Sequence, residues 1–191
     1  MAIDFTKNLC EKITLIIAPL SQHININAFG YRKFFPDGTS FEASNNVALT
    51  QLIHEKFSNT IIPNYETEVR LVLKEKKRSF FRIGEPDPQD AFLSMLYDFN
   101  VWNTLSFYEK NEDCVEAVYF TSTRENDKII SEYFNNLELL DNFSHYFKDK
   151  INNMISSQEM KKASFLTISP KIFEEHETCV YPDREPINIM P

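Results

Sequence analysis

The sequence predicts an α+β domain, an antiparallel sheet of about five strands with helices on both sides. Three observations carry this. Two strand pairs are each joined by a short polar turn, helical spacing fills the segments between them, and the elements run helix, hairpin, helix, helix, hairpin, helix. If one sheet forms, that order makes the second hairpin pair with the first. The 191 residues, 42% hydrophobic and 25% charged, suffice for one well-buried core and are few for two ordinary domains.

Phe5, Leu9, Ile13 and Ile16 or Ile17 keep the three-and-four spacing of one helix face, and Pro19 is expected to end that helix. Residues 24–35 and 39–44 form the first hairpin around Pro36-Asp37-Gly38, where proline presets the turn and glycine closes it. Asn45 or Asn46 offers an N-cap oxygen before Leu49, Leu52, Ile53 and Phe57, and 58–68 reads as a surface connection. Residues 69–73 fit a strand or a short helix, followed by the basic run Lys74, Lys76, Lys77 and Arg78. A helix through Ala91, Phe92, Met95, Leu96 and Phe99 starts at Asp87 or Pro88 and ends at Asn100.

Residues 101–109 and 114–121 form the second hairpin across Lys110-Asn111-Glu112-Asp113. Ser122 and Glu125 have capping-box spacing and introduce a long helix over 126–155, carrying Ile130, Tyr133, Leu137, Leu140, Phe147, Ile151 and Met154 and broken by Ser144. Phe134, Leu139, Phe143 and Tyr146 make a second apolar line beside that stripe. A helix on a sheet needs one stripe, so two directions want cover. The pattern then fades, and the remainder reads as a linker or a tail laid over the domain.

Lys+Arg 20 against Asp+Glu 28 give a net charge of -8, which repels phosphate backbones and anionic membrane surfaces. With three glycines, Gly30, Gly38 and Gly84, there is no glycine-rich loop to cradle a nucleotide. Cys10, Cys114 and Cys179 form no C-x-x-C and fit a reducing, cytoplasmic setting better than a disulfide scaffold. Asp4, Lys7, Glu11 and Lys12 interrupt the first twenty residues, so these are neither a signal peptide nor a membrane span.

His23, His54, His145 and His176 lack metal-ligand spacing; His176-x-x-Cys179 offers two zinc ligands where about four are needed, so neither metal nor cofactor is expected. Glu66/Glu68 and Asp87/Asp90 read as solvated carboxylates, Cys114 as a small core residue, and the basic run before Phe80-Phe81 as a solvated face rather than a nucleic-acid site. No catalytic group is assigned. Trp102, Thr104, Ser106, Phe107, Tyr119 and Thr121 mix aromatic surface with hydroxyls, the chemistry of a small-ligand pocket and equally of an aromatic core with bonded hydroxyls.

The run Phe29-Gly30-Tyr31-Arg32-Lys33-Phe34-Phe35-Pro36-Asp37-Gly38-Thr39 resembles the aromatic strand and D-G turn in the N-terminal sensory domain of LuxR-type bacterial transcription regulators. Residues 114–126, from Cys114-Val115-Glu116 to Thr121-Ser122-Thr123-Arg124-Glu125-Asn126, are similar to the C-E-x-x-x-F-x-T-T-R-x-N of a branch found in intracellular gammaproteobacteria. The likeness continues through 133–140 and 146–150. It implies a PAS/GAF-like sandwich over residues 1–156, with 157–191 as linker or C-terminal tail toward a helix-turn-helix DNA-binding domain that this chain lacks. DNA would be reached only through that domain. In the lactone receptors of the wider family a W-x-x-x-Y pair holds the ligand; here Trp102-Asn103-Thr104-Leu105-Ser106 ends in serine, so no contact is carried over.

The resulting expectation is a cytoplasmic signal-sensing and dimerisation domain rather than an enzyme, with a protein-interaction module without ligand as the first alternative and an enzyme as the second. Tyr31, Trp102, Ser106 and Tyr119 are expected to border an apolar ligand cavity, on strand chemistry alone. Leu139, Phe143 and Tyr146 are expected to meet a second copy across a two-fold axis, unless the N-terminal helix or the tail covers them.

Overall fold

The turn at Pro36-Asp37-Gly38 closes the first hairpin, β1 (Ala28–Phe34) and β2 (Thr39–Ser44), in a computed structural model that describes residues 2–177. Gly38 adopts φ +81°, a left-handed conformation that favours glycine, and the Asp37 carboxylate accepts the Thr39 N–H at 3.1 Å. The second hairpin joins β4 (Trp102–Lys110) to β5 (Val115–Ser122). It pairs with the first as the element order requires: β1 lies antiparallel to β5 with Tyr31 opposite Val118. The edges are β3 (Ser79–Arg82), on β4, and β6 (Phe165–Leu166), on β2.

The sheet is therefore six-stranded and antiparallel, in the order β3-β4-β5-β1-β2-β6. Without β6 the order is that of a PAS/GAF-like sandwich. The strand beyond the expected five comes from the stretch read as linker or tail. From there Thr167 and Ile168 donate N–H bonds to the Gly38 carbonyl, while Thr167 accepts the Ile62 N–H at 2.8 Å.

Strand alternation divides the core in two. Phe29, Tyr31, Leu105, Val118 and Phe120 face α1 (Ala2–His23), α5 (Ile129–Asn135), α6 (Leu137–Met154) and α7 (Ser157–Lys162). Phe29 is the hub of that layer, with ring centroids 5.2 Å from Phe120, 5.6 Å from Phe143 and 4.6 Å from Phe147. The opposite parity, Ala28, Phe34, Trp102, Tyr108, Val115 and Ala117, faces α2 (Val47–Phe57), α3 (Pro63–Glu75), α4 (Ala91–Asp98) and α8 (Lys171–Glu177).

Several element expectations are corrected. Pro19 lies inside α1, because buried Leu20 and Ile24 hold the last turn onto the core after proline removes one N–H. The connection after α2 is short: Pro63 takes the first position of α3, within the stretch expected to be surface loop. Asp90, not Asp87 or Pro88, caps α4, its carboxylate accepting the Leu93 N–H at 2.8 Å. Ser122 caps nothing; its hydroxyl donates to the Asn25 carbonyl and accepts from Asn126. Residues 123–126 instead turn around Asn103, whose amide donates to the carbonyls of Thr123, Arg124 and Asn126.

The expected long helix is two helices meeting at Asn136, with φ -123° and ψ 19°. Tyr133 pins the first of them by donating to the Asn103 and Phe120 carbonyls. Ser144 does not break the second: it is buried, its hydroxyl bonded to the Leu140 carbonyl one turn back. A capping box does exist, at Ser156 and Glu159, and it opens α7.

Candidate functional site

On the α2–α4 side of the sheet, alternate positions place Arg32, Glu42, Thr104, Ser106, Tyr108, Tyr119 and Thr121 along one wall of a cavity of about 30 Å³. Leu49 and Ile53 of α2, Tyr65 and Glu68 of α3, and Phe92 and Leu96 of α4 roof it. A space of that size holds one or two waters.

Two ion pairs organise the wall. Arg32 and Glu42 face each other across β1 and β2, both 6% exposed, with Nη2 to Oε2 at 2.8 Å and Nε to the same oxygen at 3.2 Å. The Tyr119 hydroxyl donates to the other Glu42 oxygen at 2.8 Å. The second unit has the same composition: Arg82 lies 3.4 Å from Glu68, and the Tyr108 hydroxyl donates to the remaining Glu68 oxygen. Arg32 also lies over the Tyr65 ring, 3.8 Å from its centroid. Burial opposes the Arg32 charge, but Glu42 together with the surrounding tyrosines outweighs it and lifts the guanidinium pKa above its ordinary value. Burial raises the phenols of Tyr65, Tyr108 and Tyr119 well above theirs, so all three remain donors.

Two polar atoms on this lining stand out. The hydroxyls of Tyr65 and Thr104 are buried and have no hydrogen-bond partner, although buried hydroxyls are almost always paired. The Thr104 position follows a register shift between Trp102 and Leu105, where Asn103 takes φ 41°.

Gly30 makes room for the Tyr119 ring. It stands opposite Tyr119 in the β1–β5 register, and a Cβ there would fall within the phenol ring. Gly30→Ala is therefore expected to displace the ring, break its bond to Glu42 and cost about 1–3 kcal/mol in urea denaturation. With Tyr119→Leu in the background the same change should cost much less. Strict additivity of the two would reject the contact.

His54 of α2 packs its ring against Phe165, centroids 4.4 Å apart. Burial lowers its pKa below the ordinary 6.5, partly opposed by Glu42. Below pH 6.5 the unfolded chain thus binds the proton first, and stability falls as pH drops through that region towards the folded-state pKa. Urea midpoints at pH 7.5 and 5 should differ less in His54→Gln than in the parent; equal differences would show that His54 titrates alike in both states.

Of the four residues expected to border a cavity, the structure brings Ser106 and Tyr119 together there. Trp102 shares their side of the sheet, but its ring stands edge-on to Tyr97 at 5.3 Å and its indole N–H donates to the Gly84 carbonyl at 2.6 Å, outside the cavity wall. Tyr31 has the opposite parity: its hydroxyl donates to Glu116, which also binds Lys33 at 3.4 Å and the Asn111 amide at 2.7 Å. Of the charged and tyrosine groups that build the site, Arg32, Glu42, Tyr65, Arg82 and Tyr108 have no place among the residues expected at a site, and Glu68, expected to be a solvated carboxylate, is instead buried against Arg82 and Tyr108. Arg32 leaves a trace in the sequence by sharing its strand parity with Gly30 and Phe34.

The three residues expected at a dimer contact separate as well. Leu139 and Tyr146 are 42% and 48% exposed, whereas Phe143 is half-buried against Phe29 and Phe120. Among the described residues no cluster of three His, Cys, Asp or Glu side chains is placed to hold a metal ion, and no helix is long and apolar enough to cross a membrane. His176 and Cys179 lie outside the residues whose side chains are described.

Fold and site together define a class: an α+β sandwich with a small, charge-balanced cavity between its sheet and one helical layer. Comparison with protein-family models and with curated proteins finds no match for this chain.

Proposed function

We propose that the domain senses a small molecule in this cavity and works as a dimer, the sensory and dimerisation part of a LuxR-type regulator whose DNA contact lies in a separate helix-turn-helix domain. One observation carries the reading: the partnerless Tyr65 and Thr104 hydroxyls on a cavity already furnished with two tyrosine-capped ion pairs. Buried charge is a poor source of stability, so a core that keeps four ionised groups beside two unpaired hydroxyls favours a recognition role over a packing one. Catalysis is not part of the reading, because each arginine is spent on a glutamate and each phenol is held protonated. The net charge of -8 agrees with DNA being bound elsewhere.

Native mass spectrometry of protein purified from its own host tests both parts. A retained small-molecule mass is expected, lost from the Tyr65→Phe, Thr104→Val double variant. A chain that carries no extra mass, and whose double variant is as stable as the parent, would refute the sensing role. The dimer should give way to monomer in Leu139→Glu, Tyr146→Glu; these side chains are exposed, so the change leaves the fold intact. A parent chain that sediments as a monomer at tens of micromolar would leave the interaction-free sensor.

A further inference from the structure

Phe92 separates two spaces. On one side lies the small cavity with its polar wall; on the other is a more open groove of about 410 Å³ lined by Phe57, Ile62, Pro63 and Asp90. Among the described residues no other borders both. The ring is 3% exposed and stands edge-on to Tyr65, centroids 4.9 Å apart, and to Phe57, 5.1 Å apart.

We propose that Phe92 is the gate of the cavity, and that the ligand is a neutral, ring-sized molecule carrying a hydrogen-bonding group that takes the place of the Phe92 ring beside Tyr65. The inference rests on the sensing role proposed above and gives that role an entrance and a ligand class. A 30 Å³ space admits water but no organic ligand, so something in the roof has to move. Among the roof residues Phe92 borders an open space of ligand-pocket size to turn into. Its departure leaves a vacancy the size of a six-membered ring, facing the Tyr65 ring in a geometry aromatic pairs prefer. The Tyr65 and Thr104 hydroxyls on the same lining then find a partner in the ligand's polar group. Neutrality follows from the wall: two arginines already match two glutamates, so an added charge would be buried without a counter-ion.

The test uses 4-fluorophenol as probe, followed by 19F NMR on the full chain. 4-Fluorophenol should bind the parent, while fluorobenzene and 4-fluorobenzoate bind about tenfold more weakly or not at all, as expected when a buried hydroxyl loses its partner or a charge is left unpaired. Phe92→Ala should speed both association and release of the probe, and Phe92→Trp should slow both; Phe92→Leu, which keeps apolar bulk and guards against a folding failure, should lie between parent and alanine. Binding that is lost in Tyr65→Phe, Thr104→Val yet has the same rates in all Phe92 variants overturns the gate and leaves the sensing site standing. A parent that ignores 4-fluorophenol while holding a host-derived mass lost in the same double variant overturns the ring-sized class alone. Probe binding indifferent to Tyr65, Thr104 and Phe92 overturns the whole proposal.

Discussion

Arg32→Met is expected to lower the unfolding free energy by about 3–5 kcal/mol, because it strands the Glu42 carboxylate in the core without a counter-charge. Both partners are 6% exposed, so water cannot take over the screening. The lost guanidinium also leaves the Tyr65 ring without its stacked cation. Adding Glu42→Gln should return the greater part of that loss: the amide oxygen still accepts the Tyr119 hydroxyl, and no charge remains buried. Urea denaturation of parent, both single variants and the double variant closes the cycle. A single-variant cost under about 1 kcal/mol, the range of exposed ion pairs, would mean that the pair is solvated and the cavity open.

Trp102→Ala should cost a similar amount, about 3–5 kcal/mol, as a large buried aromatic is truncated in a core. The indole is 2% exposed, and its N–H secures the Gly84 carbonyl, so the variant also loosens the segment leading to α4. Trp102→Phe should recover part of the packing but not the hydrogen bond. Because the indole lies outside the cavity wall, probe affinity measured well below the melting temperature should change less than in Tyr65→Phe. The reverse ranking would put Trp102 back among the ligand contacts that its strand chemistry suggests.

The hairpins are legible in the sequence because their signals are local. Asp37-Gly38 fixes one turn, and apolar runs flank both. The strand β3 is obscured by the lysines and arginine before it, and β6 is two residues long, too short to show alternation. Ser122 and Glu125 carry the spacing of a capping box, but the serine hydroxyl is taken by Asn25, a partner 97 positions away that no local pattern reveals. The site divides in the same manner. Ser106 and Tyr119 follow from their residue types, whereas Arg32 and Glu42 join the site only once β1 and β2 are seen to be buried on both faces. Tyr31 fails on parity alone: it neighbours Arg32, and neighbours on a strand point to opposite sides.

The attachment of β6 to β2 bears on how the chain is made. The ribosome releases the first hairpin early, at about 5–20 residues per second, and the outer side of β2 then waits several seconds for its partner. During that wait it is an unpaired sheet edge, open to pairing with another nascent chain. Glu42 sits in the middle of this strand with Ser40 and Ser44 on either side of it at the same parity. An inward-facing charge on an edge strand discourages wrong pairing, since a foreign strand would have to bury it unmatched. The carboxylate that anchors Arg32 in the finished domain would thus also discourage wrong pairing in the half-made one, before Phe165 and Leu166 arrive to pair with Ser40 and Thr39 at the start of the strand.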